Sequence, residues 1–264
     1  MFKPMLLLLL GLCGLLLALP ATAQEKGLKL PEVQEKVKAA KEGVIPKLKA
    51  QSHCPVSGEA LTGGEKELAV TYEGHQVRLC CASCEKKFRD FPDRFLFQMF
   101  QAGVKPKNVQ STCPVSGEAL GKKSVSLWFM NKELKVCCPK CAIKAEKKPA
   151  TYFDQLEGRK PQSHCPVMGN PIDRETFSIV QGQKIYYCCP GCSDKVAADP
   201  NQYFQEAAAK KVAFEPVIGK CPVMEEPVKD RRWWMTYQGR KVYLCCKKCA
   251  RRFSKRPEQY LQSL

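Results

Sequence analysis

Four times this chain sets two adjacent cysteines at the end of a β-type run and a third cysteine three residues later. No other feature limits the fold as strongly. The stretches are CCASC (Cys80, Cys81, Cys84), CCPKC (Cys137, Cys138, Cys141), CCPGC (Cys188, Cys189, Cys192) and CCKKC (Cys245, Cys246, Cys249). Each has a lone cysteine 23 to 26 residues upstream, in CPVS or CPVM: Cys54, Cys113, Cys165 and Cys221. Together they are 16 of the 17 cysteines, and the lone ones recur at intervals of 59, 52 and 56 residues. The 264 residues therefore read as a repeat of about 50-residue modules rather than as one or two ordinary domains. Modules that small bury too little apolar surface to be secure alone, and four cysteines each are a sufficient staple, as metal ligands or as disulfides.

Between the cysteines the four copies keep one register. The opening CPVSG, CPVSG, CPVMG and CPVME reads as a tight turn that aims a sulfur and nearby N–H groups at one centre, with Glu225 standing where the other copies have Gly. Two short β-type runs follow, such as LAVTY and QVRL, around Gly74, Asn131, Gly182 or Gly239, residues that accept positive φ and so predict hairpin turns. Counted from the third cysteine, position four is apolar (Phe88, Ala145, Val196, Phe253), position eight is proline (Pro92, Pro149, Pro200, Pro257) and position eleven is aromatic (Phe95, Tyr152, Tyr203, Tyr260). A two-turn helix stopped by a proline that opens a second helix accounts for all three, with the aromatic expected as the main core residue. The fold class is α+β, in four tandem treble-clef-like modules over 51–104, 110–157, 162–212 and 218–264. Gly103 to Thr112, Gly158 to Ser163 and Lys210 to Gly219 read as linkers.

The N-terminus reads as a signal peptide over 1–23: Lys3, an apolar core from Met5 to Leu19, then Ala21-Thr22-Ala23 as cleavage site. Residues 24–50 read as a helical linker. The expected mature chain is secreted or periplasmic with no membrane span. A net charge of +17 would suggest nucleic acid in a cytosolic protein, but the exported setting and its spread through all modules argue against that, and it is explained as solvated surface or as offset to anionic thiolate sites. Export also makes eight disulfides the plain alternative for sixteen cysteines.

A turn cysteine, a hairpin and cysteines at a helix start make the layout of a closed tetrahedral site. The third cysteine falls in the first helical turn, where free N–H groups favour the thiolate. Such sites suit Zn²⁺ or Cu(I), about one ion per module. The pattern resembles the YHS/TRASH group of heavy-metal-binding modules from Cys54 onward. That resemblance implies metal sensing, trafficking or resistance. It places the family's ligands on Cys54, Cys80 and Cys84, on Cys113, Cys137 and Cys141, on Cys165, Cys188 and Cys192, and on Cys221, Cys245 and Cys249. The departure is the second cysteine of each pair (Cys81, Cys138, Cys189, Cys246), which reads as a fourth ligand, a transfer thiol or a disulfide partner, with the first favoured. His53 and His164 precede the lone cysteine in two copies, but Thr112 and Lys220 do so in the others, which excludes a general histidine ligand and leaves an occasional one open; His75 reads as a surface residue.

The expectation is an exported metal-binding protein that buffers, sequesters or transfers copper or zinc, partnered by an envelope metal-handling protein. The alternative is a zinc- or disulfide-stapled array that binds another protein. CPKC and CPGC raise a third reading, a thiol–disulfide oxidoreductase, but that chemistry needs a βαβ context the hairpins do not supply. No catalytic constellation is visible, and an enzyme is not expected.

Overall fold

A computed structural model describes residues 48–130 and 132–264. The stretch read as a signal peptide, most of the stretch read as a helical linker, and Asn131 lie outside the described residues. Of the stretch read as a helical linker, Lys49–Ala50 forms a short strand, β1.

Each module is a hairpin followed by two short helices. The hairpins are β2 (Leu68–Tyr72) with β3 (His75–Leu79), and, after the two-residue strands β4 (Val104–Lys105) and β5 (Lys107–Asn108), β6 (Val125–Phe129) with β7 (Lys132–Val136). Beyond β8 (Lys160–Pro161) come β9 (Asp173–Val180) with β10 (Gln183–Tyr187), and, after β11 (Val212–Ala213) and β12 (Glu215–Pro216), β13 (Trp234–Tyr237) with β14 (Arg240–Tyr243). At the tips Glu73, Gln181 and Gln238 take φ of 45° to 47°, and the glycine after each takes 72° to 80°. Two successive positive φ values define the primed turn whose twist matches the strands, which is why glycine stands there.

The helices are α1 (Ala82–Asp90), α2 (Pro92–Gln101), α3 (Pro139–Lys147), α4 (Pro149–Glu157), α5 (Cys192–Ala198), α6 (Pro200–Ala209), α7 (Lys247–Phe253) and α8 (Pro257–Leu261). Proline opens the second helix of every pair, where its missing N–H has no intrahelical role. The aromatic expected to fill the core is only half-buried; the next residue (Leu96, Phe153, Phe204, Leu261) points inward instead. Phe95 and Tyr260 lie at 6.0 and 6.2 Å over Phe88 and Phe253, shielding the core from outside.

The segments read as linkers are paired with sheets. β4 runs parallel to β1 and β11 parallel to β8, while β5 and β12 each add a third strand to a hairpin, against β3 and β10. Modules 1 and 3 thus share one framing and modules 2 and 4 share a plainer one.

Four cores form, and those of modules 2 and 4 take in side chains from other modules. Trp234 of module 4 enters the core of module 2, within 6.2 Å of Phe129 and 5.7 Å of Phe153. Phe91 and Phe97 of module 1 enter the core of module 4, where Phe91 meets Tyr237 edge-on at 4.9 Å. The hairpin tips of modules 1, 2 and 4 meet in a buried charged cluster. Lys132 binds Glu73 at 2.5 Å and Asp93 at 2.8 Å, Arg159 bridges Glu73 and Asp154, and Lys241 also pairs with Asp154.

His75 belongs to this junction and is 1% exposed, contrary to its reading as a surface residue. Its position beside a turn suggested solvent, but this turn faces another module. Nδ1–H donates to the Glu73 carbonyl at 2.9 Å, and Nε2 accepts from the Glu133 N–H at 3.1 Å. Burial therefore lowers its pKa from the ordinary 6.5 to about 4.

Candidate metal centres

Each lone cysteine is held by the same backbone device. The Cys54 N–H donates to the Glu59 carbonyl and the Cys54 carbonyl accepts from the Gly58 N–H, at 2.8 and 2.9 Å. Cys113, Cys165 and Cys221 repeat both bonds, and a single antiparallel bridge closes each loop, for example between His53 and Ala60. Gly58, Gly117 and Gly169 sit at φ of 73° to 81°, and Glu225 makes the same turn at 58°. The fourth copy therefore keeps its geometry despite the departure in sequence, at a strain of about 1 kcal/mol or more for an L-residue in the left-handed region. Because the Glu225 side chain is exposed, Glu225→Gly should stabilise the protein by roughly 1 kcal/mol. An unchanged or lower denaturant midpoint would show that the turn is not strained.

A second tether was missed in the sequence. Gln51 donates its amide to the Arg78 carbonyl at 2.7 Å and accepts the Arg78 N–H at 2.9 Å. Gln110 does the same to Lys135, and Gln162 to Tyr186. A glutamine three residues before the lone cysteine thus clamps that loop to the strand residue two before the cysteine pair. Its recurrence in three copies, with Ile218 in the fourth, was the available signal.

These devices bring three sulfurs together in every module. Those of Cys54, Cys80 and Cys84 lie within 4.8 Å of one another, as do those of Cys113, Cys137 and Cys141, of Cys165, Cys188 and Cys192, and of Cys221, Cys245 and Cys249. Within the pairs four residues apart, sulfurs are 3.5, 3.6, 4.0 and 3.4 Å from each other. Four thiolates at about 2.3 Å from a tetrahedral ion stand about 3.8 Å apart, so the spacing fits a metal. It is far from the roughly 2.05 Å of a disulfide, and all sixteen cysteines among the described residues are free thiols.

The second cysteine of each pair lies at the edge of its cluster. Cys81, Cys138 and Cys246 are the N-caps of α1, α3 and α7, and in module 3 the CCPGC turn moves that position to Gly191. Their sulfurs reach one neighbour closely: Cys81 is 3.7 Å from Cys80, Cys189 is 3.4 Å from Cys192 and Cys246 is 3.6 Å from Cys249. The three-sulfur sets that share the mutual distance do not include them. His53 and His164 bond instead to neighbouring serine hydroxyls, at 3.0 and 2.9 Å, and are not in the sets either.

Within each three-sulfur set the environment favours one thiolate, the lone cysteine; beside the set, the Ser83 hydroxyl and the Cys84 N–H lower Cys81 to about 7, and the N–H groups of the helix start lower Cys138 and Cys246 as well. Burial alone would raise the Cys54 thiol, but the Ser57 hydroxyl and the N–H groups of Ser57, Cys80 and Val56 outweigh it and lower it to about 7. Cys113 is lowered to about 7 in the same way, with Ser116 as the hydroxyl donor. Burial and the neighbouring sulfurs push Cys192 up to about 12 and Cys245 to about 11. One thiolate suppresses the ionisation of the next, and only a cation at the centre relieves that repulsion. Comparison with protein-family models, curated proteins and solved structures gave no match for this chain.

Proposed function

We propose that this chain is an exported thiolate-rich protein whose four modules each hold one thiophilic ion, Zn²⁺ or Cu(I), and that it buffers, sequesters or hands on that ion. The observation that carries the reading is the threefold meeting of sulfurs, repeated four times at metal-site spacing with N–H donors aimed at the buried cysteine. The resemblance to YHS/TRASH modules supports it, as does the signal-like N-terminus for export to the envelope, where a metal-handling protein would be the partner. The role is binding rather than catalysis.

The second cysteine of each pair completes the site as fourth ligand: in modules 1, 3 and 4 its sulfur already lies 3.4–3.7 Å from a cluster sulfur, within reach of a shared ion. A second reading, a zinc-stapled array that binds another protein, is favoured by the fact that the ligand sulfurs are part of the module cores, with Cys54, Cys113, Cys165 and Cys221 all buried.

Native mass spectrometry of the protein as purified, and again after reduction, tests both. Four ions per chain are expected, and Cys81, Cys138, Cys189 and Cys246 changed together to Ser should leave four ions bound about a hundredfold more weakly, or about 2.7 kcal/mol each. Unchanged affinity would remove them from the ligand set. Eight disulfides and no metal would overturn the proposal, and zinc that never exchanges for copper would favour the scaffold.

A further inference from the structure

The four centres are not equivalent. In modules 1 and 2 the residue three after the lone cysteine is Ser57 or Ser116, whose hydroxyl hydrogen-bonds a cluster sulfur, Cys80 at 3.2 Å or Cys137 at 3.4 Å. In modules 3 and 4 the same position is Met168 or Met224, so that bond is absent and a thioether replaces the hydroxyl. Of the five methionines among the described residues, Met99 and Met235 are buried in cores and Met130 packs against one. Met168 and Met224 are 57% and 46% exposed. Both thioethers are therefore open to an ion arriving from solvent.

Both methionines are anchored at a centre. The backbone N–H of each hydrogen-bonds the lone cysteine of its loop, Cys165 or Cys221. Met224 Sδ also lies 3.7 Å from Arg252 on α7, the helix that carries Cys249. That guanidinium takes one sulfur lone pair and leaves the other. Met168 and Cys165 line one surface cavity of about 450 Å³ together with His164 and Tyr203, so the thioether and the lone cysteine share a wall. A thioether is a soft, neutral ligand that binds Cu(I) and has little affinity for Zn²⁺.

We propose, resting on the metal-binding reading above, that the centres form two functional pairs: modules 1 and 2 retain their ions, and modules 3 and 4 exchange Cu(I) through Met168 and Met224. The thioether takes a soft ion arriving from solvent and passes it to the thiolates, and it offers the same step in reverse. The serine pair, with its thiolates stabilised by hydroxyl donors and no soft ligand outside, lacks that path.

The test is anaerobic transfer of Cu(I) from the loaded full chain to a chromogenic Cu(I) chelator, beside Zn²⁺ affinity. The wild type should lose two ions quickly and two slowly. The Met168→Ser, Met224→Ser double variant should slow the fast phase about tenfold, equivalent to 1.4 kcal/mol, with Zn²⁺ affinity and melting temperature unchanged. Ser57→Met with Ser116→Met should convert slow ions to fast. Identical kinetics in the wild type and the methionine variant overturn the inference while leaving the metal-binding reading intact. Parallel loss of Zn²⁺ affinity also overturns it, because the methionines would then be structural. Failure of the wild type to bind either ion sinks both.

Discussion

Stripping the metal from the reduced protein with a strong chelator should abolish its cooperative thermal transition, and returning Zn²⁺ should restore it. The reason lies in where the sulfurs sit. Cys54, Cys113, Cys165 and Cys221 are core residues of their modules, packed beside Leu79, Val136, Tyr187 and Leu244. Without an ion each centre gathers three sulfurs within 4.8 Å and leaves ionisable thiols in the interior. A structural thiolate site contributes about 10–16 kcal/mol of apparent binding free energy at neutral pH, as much as the whole stability of an ordinary domain. Four such terms cannot be lost by modules of about 50 residues without melting them. Circular dichroism before and after chelation measures this. A chelated protein with the melting temperature of the loaded one would mean that the cysteines are ordinary core residues. Replacing Cys84, Cys141, Cys192 or Cys249 singly by Ser then reports which module each ion supports, as one ion fewer and a lower transition.

Most of each module was legible because its signals are local. The proline at N1 of the second helix, the glycine of the hairpin tip and the C-x3-C spacing all act within a few residues, and each stands where the spacing placed it. The Gln51, Gln110 and Gln162 clamps were legible in principle, since they recur in register, but a polar residue in a loop carries no periodic signal. The choice between positions eleven and twelve for the core was ambiguous: both Phe95 and Leu96 are apolar, and only the axis of α2 decides which points inward. The burial of His75 and the docking of Trp234 into module 2 were not legible. They join residues 58 to more than 100 positions apart, and nothing local distinguishes a hairpin tip facing water from one facing another module.

Lys132→Met should destabilise the loaded protein by about 3–5 kcal/mol, the usual consequence of removing one partner from a buried ion pair. Its Nζ is enclosed by Glu73 and Asp93 and by the rings of Phe153 and Trp234 at 4.9 and 5.0 Å, with the side chain 1% exposed. The variant leaves Glu73 to Arg159 and leaves Asp93 with only the Thr236 N–H at 2.7 Å. Adding Asp93→Asn should recover much of the loss, because the amide keeps an acceptor for Thr236 without an unpaired charge. A loss below about 1 kcal/mol for Lys132→Met would show that water reaches the cluster. Acid gives an independent check. Burial would raise the Glu73 carboxyl, but Lys132, Arg159 and Lys241 lower it from 4.5 to about 2. Stability from this group is therefore present above pH 4.5 and is lost as pH falls toward 2, and the variant should lose less over that window. The comparison holds only while the centres stay loaded, so it is read at the upper end of that window with ion content checked at each pH. The comparison also bears on how four similar modules choose their neighbours. Equivalent tip positions hold Glu73, Met130, Gln181 and Gln238, and those after the turn hold His75, Lys132, Gln183 and Arg240. The cysteine positions repeat without change, whereas the residues after the turn differ in every copy and those before it differ except for the two glutamines, Gln181 and Gln238. Arg240 accordingly finds Gln181 and Asn201 of module 3, each at 2.5 Å, and Lys132 finds Glu73 of module 1. Apolar tips would bury as well in several pairings, whereas a charge placed against the wrong tip stays unpaired, so the cluster selects one arrangement of the four centres.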